Sequence, residues 1–287
     1  MIITEPGIYD IPEADYHRDP VPGGSLSAST AKRLLAEGGP ARYRYLLDHP
    51  EEPSGTMELG TAAHKLVLGV GAPIVEIQAE NWRKDATKEA AAKARAAGGV
   101  PLLTADVQVV HEMAAALRKR KTAVALLNPS RGDPERSVFW IDQASGLWKR
   151  ARFDFMPRRE AGRLPVIVDY KTCASAGKRD FPRSVDSFGY HIQAAQYCDA
   201  WRAIHGTDPG FVFLAQETKP PYLTAYYQLD AESLAIGRQA MADAMETWRD
   251  CRAAEAQGAE HAWPGYSDEI ETIALPRWSR AREDYYA

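Results

Sequence analysis

Three side chains in one stretch of this sequence have the types and spacing to do hydrolytic chemistry. The segment Val166-Ile-Val-Asp-Tyr-Lys-Thr172 reads as a strand. Alternate side chains of a strand share a face, so Asp169 and Lys171 point the same way. The preceding strand carries Arg150, Arg152 and Asp154 on one face and Ala151, Phe153 and Phe155 on the other. If the two strands pair, Asp154 and Asp169 converge beside Lys171. Two carboxylates next to a lysine suit a hard divalent cation with oxygen ligands, Mg²⁺ or Mn²⁺. Such an ion acidifies bound water and offsets the charge that grows on a phosphate during hydrolysis. The lysine would position or deprotonate that water, or neutralise the phosphate. Asp-x-Lys alone is a common triplet, and most examples are solvated or simple ion pairs. Here an apolar run leads into Asp169 and makes the strand a buried one, where a carboxylate is costly unless something pairs with it.

The elements that must position these residues follow from periodicity. Gly7 to Pro12 is a short strand and turn, and the serines of Ser25-Leu-Ser-Ala-Ser29 are N-cap candidates for a helix over 30–35 that stops near Gly38-Gly39-Pro40. A second helix is expected over 41–47. Glu58 to Leu68 has apolar residues at helical spacing and contains Gly60 and His64. Residues 84–99 form an exposed helix or an excursion, and 104–127 one long helix with Thr104 as its cap. From Glu135 the period changes. Segments 137–141, 147–155 and 165–170 read as strands, with a hairpin at Asp142-Gln-Ala-Ser-Gly146. A helix over 186–205, strands over 211–216 and 224–229, and a long helix over 231–256 complete a mixed α/β pattern, followed by an irregular tail from Trp263.

Composition bounds the function. The chain has 287 residues, 45% of them apolar, with 7 Trp and 13 Tyr, enough for a substantial core. Net charge is −4, so any grip on a polyanion must come from a local basic groove. Candidates around the core are Lys149, Arg150, Arg152, Arg158, Arg159, Lys178, Arg179 and Arg183. The three cysteines, Cys173, Cys198 and Cys251, form no C-x-x-C pair, which speaks against a disulfide framework or zinc knuckle. No signal peptide or spanning apolar run is visible, so a soluble cytoplasmic protein with no membrane association is expected.

Asp154 followed by Asp169-Tyr170-Lys171 resembles the catalytic signature of the PD-(D/E)xK nuclease superfamily, and within it the RecE-type (exonuclease VIII) phage recombination nucleases of the RecB-like branch. Gly60-Thr-Ala-Ala-His64 is similar to the helical Gly-x-x-x-His segment of that group, and Gln193-Ala-Ala-Gln-Tyr197 to its Gln-x-x-x-Tyr helix. The Ser25–Ser29 segment, Trp263-Pro-Gly-Tyr266 and Leu275-Pro-Arg-Trp278 resemble its terminal segments. The resemblance implies one nuclease domain over 1–287: a mainly helical part to 130 carrying His64, a catalytic sheet with the Gln-x-x-x-Tyr helix over 131–230, and a C-terminal helix and tail. The implied fold is a restriction-endonuclease-like core, a central mixed β-sheet flanked by helices, with helical N-terminal additions.

Roles carry over residue by residue. His64, Asp154, Asp169 and the Tyr170 carbonyl would hold Mg²⁺ or Mn²⁺, Lys171 would be the catalytic lysine, and Gln193 and Tyr197 would support the site or touch the DNA. Taken alone, His64 is equally a core or surface histidine, and Gln193 and Tyr197 ordinary helix packing one turn apart. Glu135 and Glu217 are left without a firm role. The first acid follows Phe153 rather than proline, no four-cysteine iron–sulfur signature is present, and no Walker A motif marks a helicase motor. The implied activity is digestion of double-stranded DNA from its ends, 5′ to 3′, leaving 3′ overhangs for a RecT-like annealing recombinase in recombination or repair. The implied assembly is a homo-oligomer, in the form of a ring. A repair or restriction endonuclease with the same metal site, or a non-catalytic DNA-end binding protein, remains open on the sequence.

Overall fold

The structure is a computed structural model that describes residues 1–49 and 51–275. In chain order the elements are β1 (Gly7–Tyr9), α1 (Glu13–His17), α2 (Ala28–Leu35), α3 (Gly39–Asp48), α4 (Gly55–Leu68), β2 (Ile74–Ile77), α5 (Asp85–Ala96), β3 (Val100–Leu103), α6 (Thr104–Arg118), α7 (Lys121–Leu126), β4 (Gly132–Ile141), β5 (Trp148–Pro157), β6 (Val166–Cys173), α8 (Phe181–Ser187), α9 (Tyr190–His205), β7 (Gly210–Glu217), β8 (Thr224–Tyr227) and α10 (Ala231–Ala256). Six strands form one mixed sheet in the order β1-β4-β5-β6-β7-β8, antiparallel except for the parallel pair β6/β7. A parallel pair needs a crossover, and α8 and α9 supply it. The restriction-endonuclease-like α/β expectation is met: a central mixed sheet with helices on both faces and a helical N-terminal part.

Each face of the sheet has its own core. Ile167, Phe213 and Ala215 pack with Phe153 against Ala194, Tyr197 and Trp201 of α9. Val168, Tyr170 and Leu214 pack with Phe155 against Ala62 and Ala63 of α4 and Val110, Met113 and Leu117 of α6. The helix α10 backs α9 and α2 through Met241, Ala244 and Trp248. Local signals explain the helix ends. Ser27 caps α2 by accepting from Thr30 N at 3.1 Å, and Asp230 caps α10 by accepting from Ser233 N at 2.8 Å. The helix α4 starts at Ser54, whose hydroxyl accepts from Met57 N, and ends at Gly69 in the left-handed conformation.

Four expectations change. The helix over 104–127 is two, α6 and α7, broken at Lys119 and Arg120, and Thr104 is not its cap: its hydroxyl donates to Glu76 instead. The two short parallel strands β2 and β3 carry no alternating pattern and are legible only once paired. The helix over 186–205 is split by Gly189 at φ 60°. Phe155 does not share a face with Ala151 and Phe153. It packs on the opposite side, because β4 is distorted across from it: Glu135 has φ 56°, and the ladder pairs Pro134 with Phe155 and Arg136 with Phe153 but skips Glu135. No described helix is long and apolar enough to cross a membrane.

Candidate metal centre and active site

The strands β5 and β6 make a ladder pair at Phe155 and Val168, one step before Asp154 and Asp169. At that step a side chain takes over the pairing: Tyr170 N donates to Asp154 Oδ2 at 2.8 Å. The fork so formed is where the chemistry-bearing residues gather. From α4, His64 reaches Asp154 with Nδ1 3.6 Å from Oδ2, and its ring lies tilted against the Tyr170 ring with centroids 4.9 Å apart. The close approach of α4 to β6 depends on Gly60, where a Cβ would stand 3.3 Å from Thr172 Oγ1. Among the described residues, His64, Glu135 and Asp154 offer one nitrogen and two carboxylate oxygens all within 4.8 Å of one another.

Asp169 stands beside that trio rather than in it. It is fully buried, its Oδ2 lies 2.6 Å from Lys171 Nζ, and its Oδ1 accepts from Gln193 Nε2 at 2.8 Å. The same Gln193 nitrogen donates to Tyr197 Oη at 3.0 Å, and the Tyr197 hydroxyl donates to the Arg152 carbonyl. This relay ties α9 to both catalytic strands. The Tyr197 side chain is buried, and its hydroxyl joins Gln193 to the strand that bears Asp154. Tyr170 contributes its main chain here, while its side chain is buried and donates to Gln216 Oε1 at 2.7 Å.

Burial dominates the electrostatics. It pushes the Asp169 carboxyl up to about 6, helped by Asp154 and opposed by Lys171. Burial also raises Asp154, and it raises Glu135 with help from Asp154. His64 is lowered by burial and by the Lys171 charge, which favours the neutral imidazole a metal needs. For Lys171, burial works against the charge, but Asp169 and Asp154 together hold the ammonium above its ordinary value.

Glu135 is the residue that sequence reasoning left without a role. Its position in left-handed backbone, a strained choice for a non-glycine, aims its carboxylate at His64 and Asp154, and Arg152 Nε holds it at 2.7 Å. Neither periodicity nor spacing carries that signal. Lys32 of α2 was missed as well. Its Nζ lies 5.9 Å from the Tyr190 ring, whose centroid is 4.9 Å from Lys171 Nζ, and burial and Lys171 lower it to about 8. Two basic candidates are withdrawn. Lys149 is buried beside Trp140 and Asp142, and Arg150 is buried against Asp19 and Ser25. Arg152 and Arg158 are engaged by Glu135 and Asp133, whereas Arg159, Lys178, Arg179 and Arg183 remain exposed. Glu217 caps the turn after β6 by accepting from Ala176 N at 3.0 Å. Of the terminal segments, Trp263 and Tyr266 pack on Tyr43 and Arg42 of α3, and residues 276–278 lie outside the described residues.

The site opens into a cleft of about 870 Å³ lined by His64, Glu135, Asp154 and Lys171, which runs on past Glu13 and Arg152 into a second hollow. This arrangement can hold a cation and a phosphodiester together.

A crystal structure from Eubacterium rectale described as "Putative exonuclease" superposes with a TM-score of 0.56 over 89% of this chain and 92% of its own, at 15% identity, which shows a shared fold. The structure of the protein SSO0001 aligns over 83% of this chain and 87% of its own at 12% identity, but its TM-score of 0.34 carries no weight. No protein in the curated set matches significantly in sequence. The family described as "PDDEXK-like domain of unknown function (DUF3799)" matches residues 27–276, most of the chain, and the chain belongs to it.

Proposed function

We propose that this chain is a divalent-metal-dependent deoxyribonuclease of the RecE type that digests double-stranded DNA from its ends, 5′ to 3′, leaving 3′ overhangs for a RecT-like annealing recombinase. The observation that carries the reading is the trio His64, Glu135 and Asp154 set against the Asp169–Lys171 pair in one cleft. The donor set fits a hard cation: two carboxylate oxygens suit Mg²⁺ or Mn²⁺, and a neutral imidazole adds a nitrogen. His64, Glu135 and Asp154 would hold the ion, with Asp169 and the Tyr170 carbonyl adjacent. Bound there, the ion would acidify a water and offset phosphate charge.

The chain's own groups do the rest. Lys171, held charged by its carboxylate neighbours, neutralises the phosphate rather than taking a proton at neutral pH. Gln193 fixes the Asp169 carboxylate, and Tyr197 fixes the strand that bears Asp154.

The test uses end-labelled linear duplex and closed circular duplex, first with chelator and then with Mg²⁺. The expected result is metal-dependent loss of the linear form with the circle intact. Loss of the circle at the same rate makes the protein an endonuclease. Binding to ends with no cleavage under any divalent ion makes it a DNA-end binding protein. A processive ring predicts an oligomer by light scattering, and a monomer at working concentration rules the ring out.

A further inference from the structure

Phe188 breaks the rule that large apolar side chains are buried. Its ring is 58% exposed, yet it lines the same cleft as His64, Glu135, Asp154 and Lys171. The loop that presents it is pinned. Phe188 N donates to Ser184 O at 3.0 Å, and Lys32 Nζ donates to Phe188 O at 2.8 Å. The next residue, Gly189, has φ 60°, and a Cβ there would lie 2.5 Å from Lys32 Cδ. The ring itself stacks on Tyr190, with centroids 5.6 Å apart and planes at 30°. Tyr190 in turn lies against the Lys171 and Lys32 ammonium groups. Phe188, Tyr190 and Lys171 line the cleft with the Glu135 and Asp154 carboxylates, and Lys32 Nζ lies 5.9 Å from the Tyr190 ring. Met57, 63% exposed in the first turn of α4, lines the same cleft.

A rigid, solvent-facing ring followed by lysines combines the two parts of single-strand recognition, a π face for a base and cations for its phosphates. A base inside a duplex hides both faces in the stack, so such a ring can take only an unpaired nucleotide or the outer face of a terminal pair, and the lysines beside it favour a strand whose phosphates reach inward. We propose that Phe188 is the stacking platform for an unpaired nucleobase, so that the strand enters the cleft single-stranded with its phosphate drawn toward Lys171 and Lys32. This rests on the nuclease reading above and specifies the form of its substrate. Stacking of this kind tolerates any base, which matches end digestion without sequence preference.

The experiment is fluorescence of a short single-stranded oligonucleotide carrying 2-aminopurine, titrated with protein in Ca²⁺, beside a cleavage assay in Mg²⁺. Wild-type protein should quench the probe. Phe188→Ala should lose the quench and bind about tenfold more weakly, and Phe188→Trp should restore both. Circular dichroism and melting of each variant guard against a folding defect. An unchanged quench and affinity in Phe188→Ala overturns the platform. So does loss of self-association in that variant with the quench intact, which would make the ring a protein contact. Wild-type protein that cleaves DNA but never quenches the probe overturns the platform alone. Protein that neither binds nor cleaves overturns the nuclease reading with it.

Discussion

Asp169 has no exposed surface and a carboxyl pushed up to about 6, chiefly by burial. An acid with a raised pKa is neutral below that value, and a protonated carboxyl is a poor cation neighbour. Apparent Mn²⁺ affinity, measured by calorimetry, should therefore fall as pH drops from 7 to 5, by about tenfold per unit once below 6. Asp169→Asn should make that limb shallower, leaving the part set by protonation of His64, Glu135 and Asp154, and an unchanged slope would remove Asp169 from the metal's surroundings. Asp169→Ala and Lys171→Ala should each cut cleavage on the order of 10³-fold in a folded protein. Full activity in either would refute the site. Glu135→Gln should weaken Mn²⁺ binding about 10- to 100-fold, since it removes one charge from the tight trio. Asp169 and Lys171 were legible as a pair because i to i+2 alternation is local, whereas Asp154 on the preceding strand joined them only if the two strands pair. Glu135 was not legible, because its use depends on a backbone distortion that no alternation pattern records.

Helix α9 carries the site from below, and its own position depends on α10. At Gly237 of α10 a Cβ would stand 2.3 Å from the His191 carbonyl. Gly237→Ala should therefore cost about 1–3 kcal/mol, visible as a lowered melting temperature, and a neutral result would mean the two helices can part freely. Tyr197→Phe removes the hydroxyl that bridges Gln193 and Arg152 O without emptying the core. It should lower kcat while leaving Mn²⁺ affinity nearly unchanged, as befits a positioning residue. Most helices and strands could be read from period and caps: Ser27, Ser54 and Asp230 all cap as serines and aspartates should. Where β2 meets β3, strand pairing decides the boundary, and 104–127 breaks at Lys119 and Arg120 with no Gly or Pro to mark it. The split of 186–205 is local instead, at Gly189 in the left-handed backbone that glycine favours.

For the molecule as a whole, the acidic total charge leaves the proposed DNA binding to exposed cations. Lys178 and Arg179 are exposed in the loop before α8, so replacing both with alanine should weaken duplex binding evenly across sequences. It should also reduce the slope of log K against log salt by about 2. Equal slopes for variant and wild type would place the phosphates elsewhere. Arg150→Ala should behave differently. It removes the guanidinium from half-buried Asp19, which keeps its hydrogen bonds from Ser25 N and Oγ, and should cost about 1–3 kcal/mol of stability, with no selective change in salt dependence. Lys149 and Arg150 looked like part of a basic groove only because a sequence shows charge and not exposure.

Resemblance to a known family drew in His64 and the Gln193/Tyr197 pair, whereas composition, period and spacing alone supplied the α/β class, the order of the main elements, and Asp169 and Lys171 on one strand face. Those features are local: hydrophobic period, caps and i to i+2 alternation are set within a few residues. Three-dimensional packing alone determined that Glu135 joins His64 and Asp154, that Asp169 turns to Lys171 and Gln193, that Lys32 crosses from α2 to the site, and that Phe188 faces the cleft. Each of these joins residues far apart in the chain, or rests on a strained backbone. Both depend on how the helices seat against the sheet.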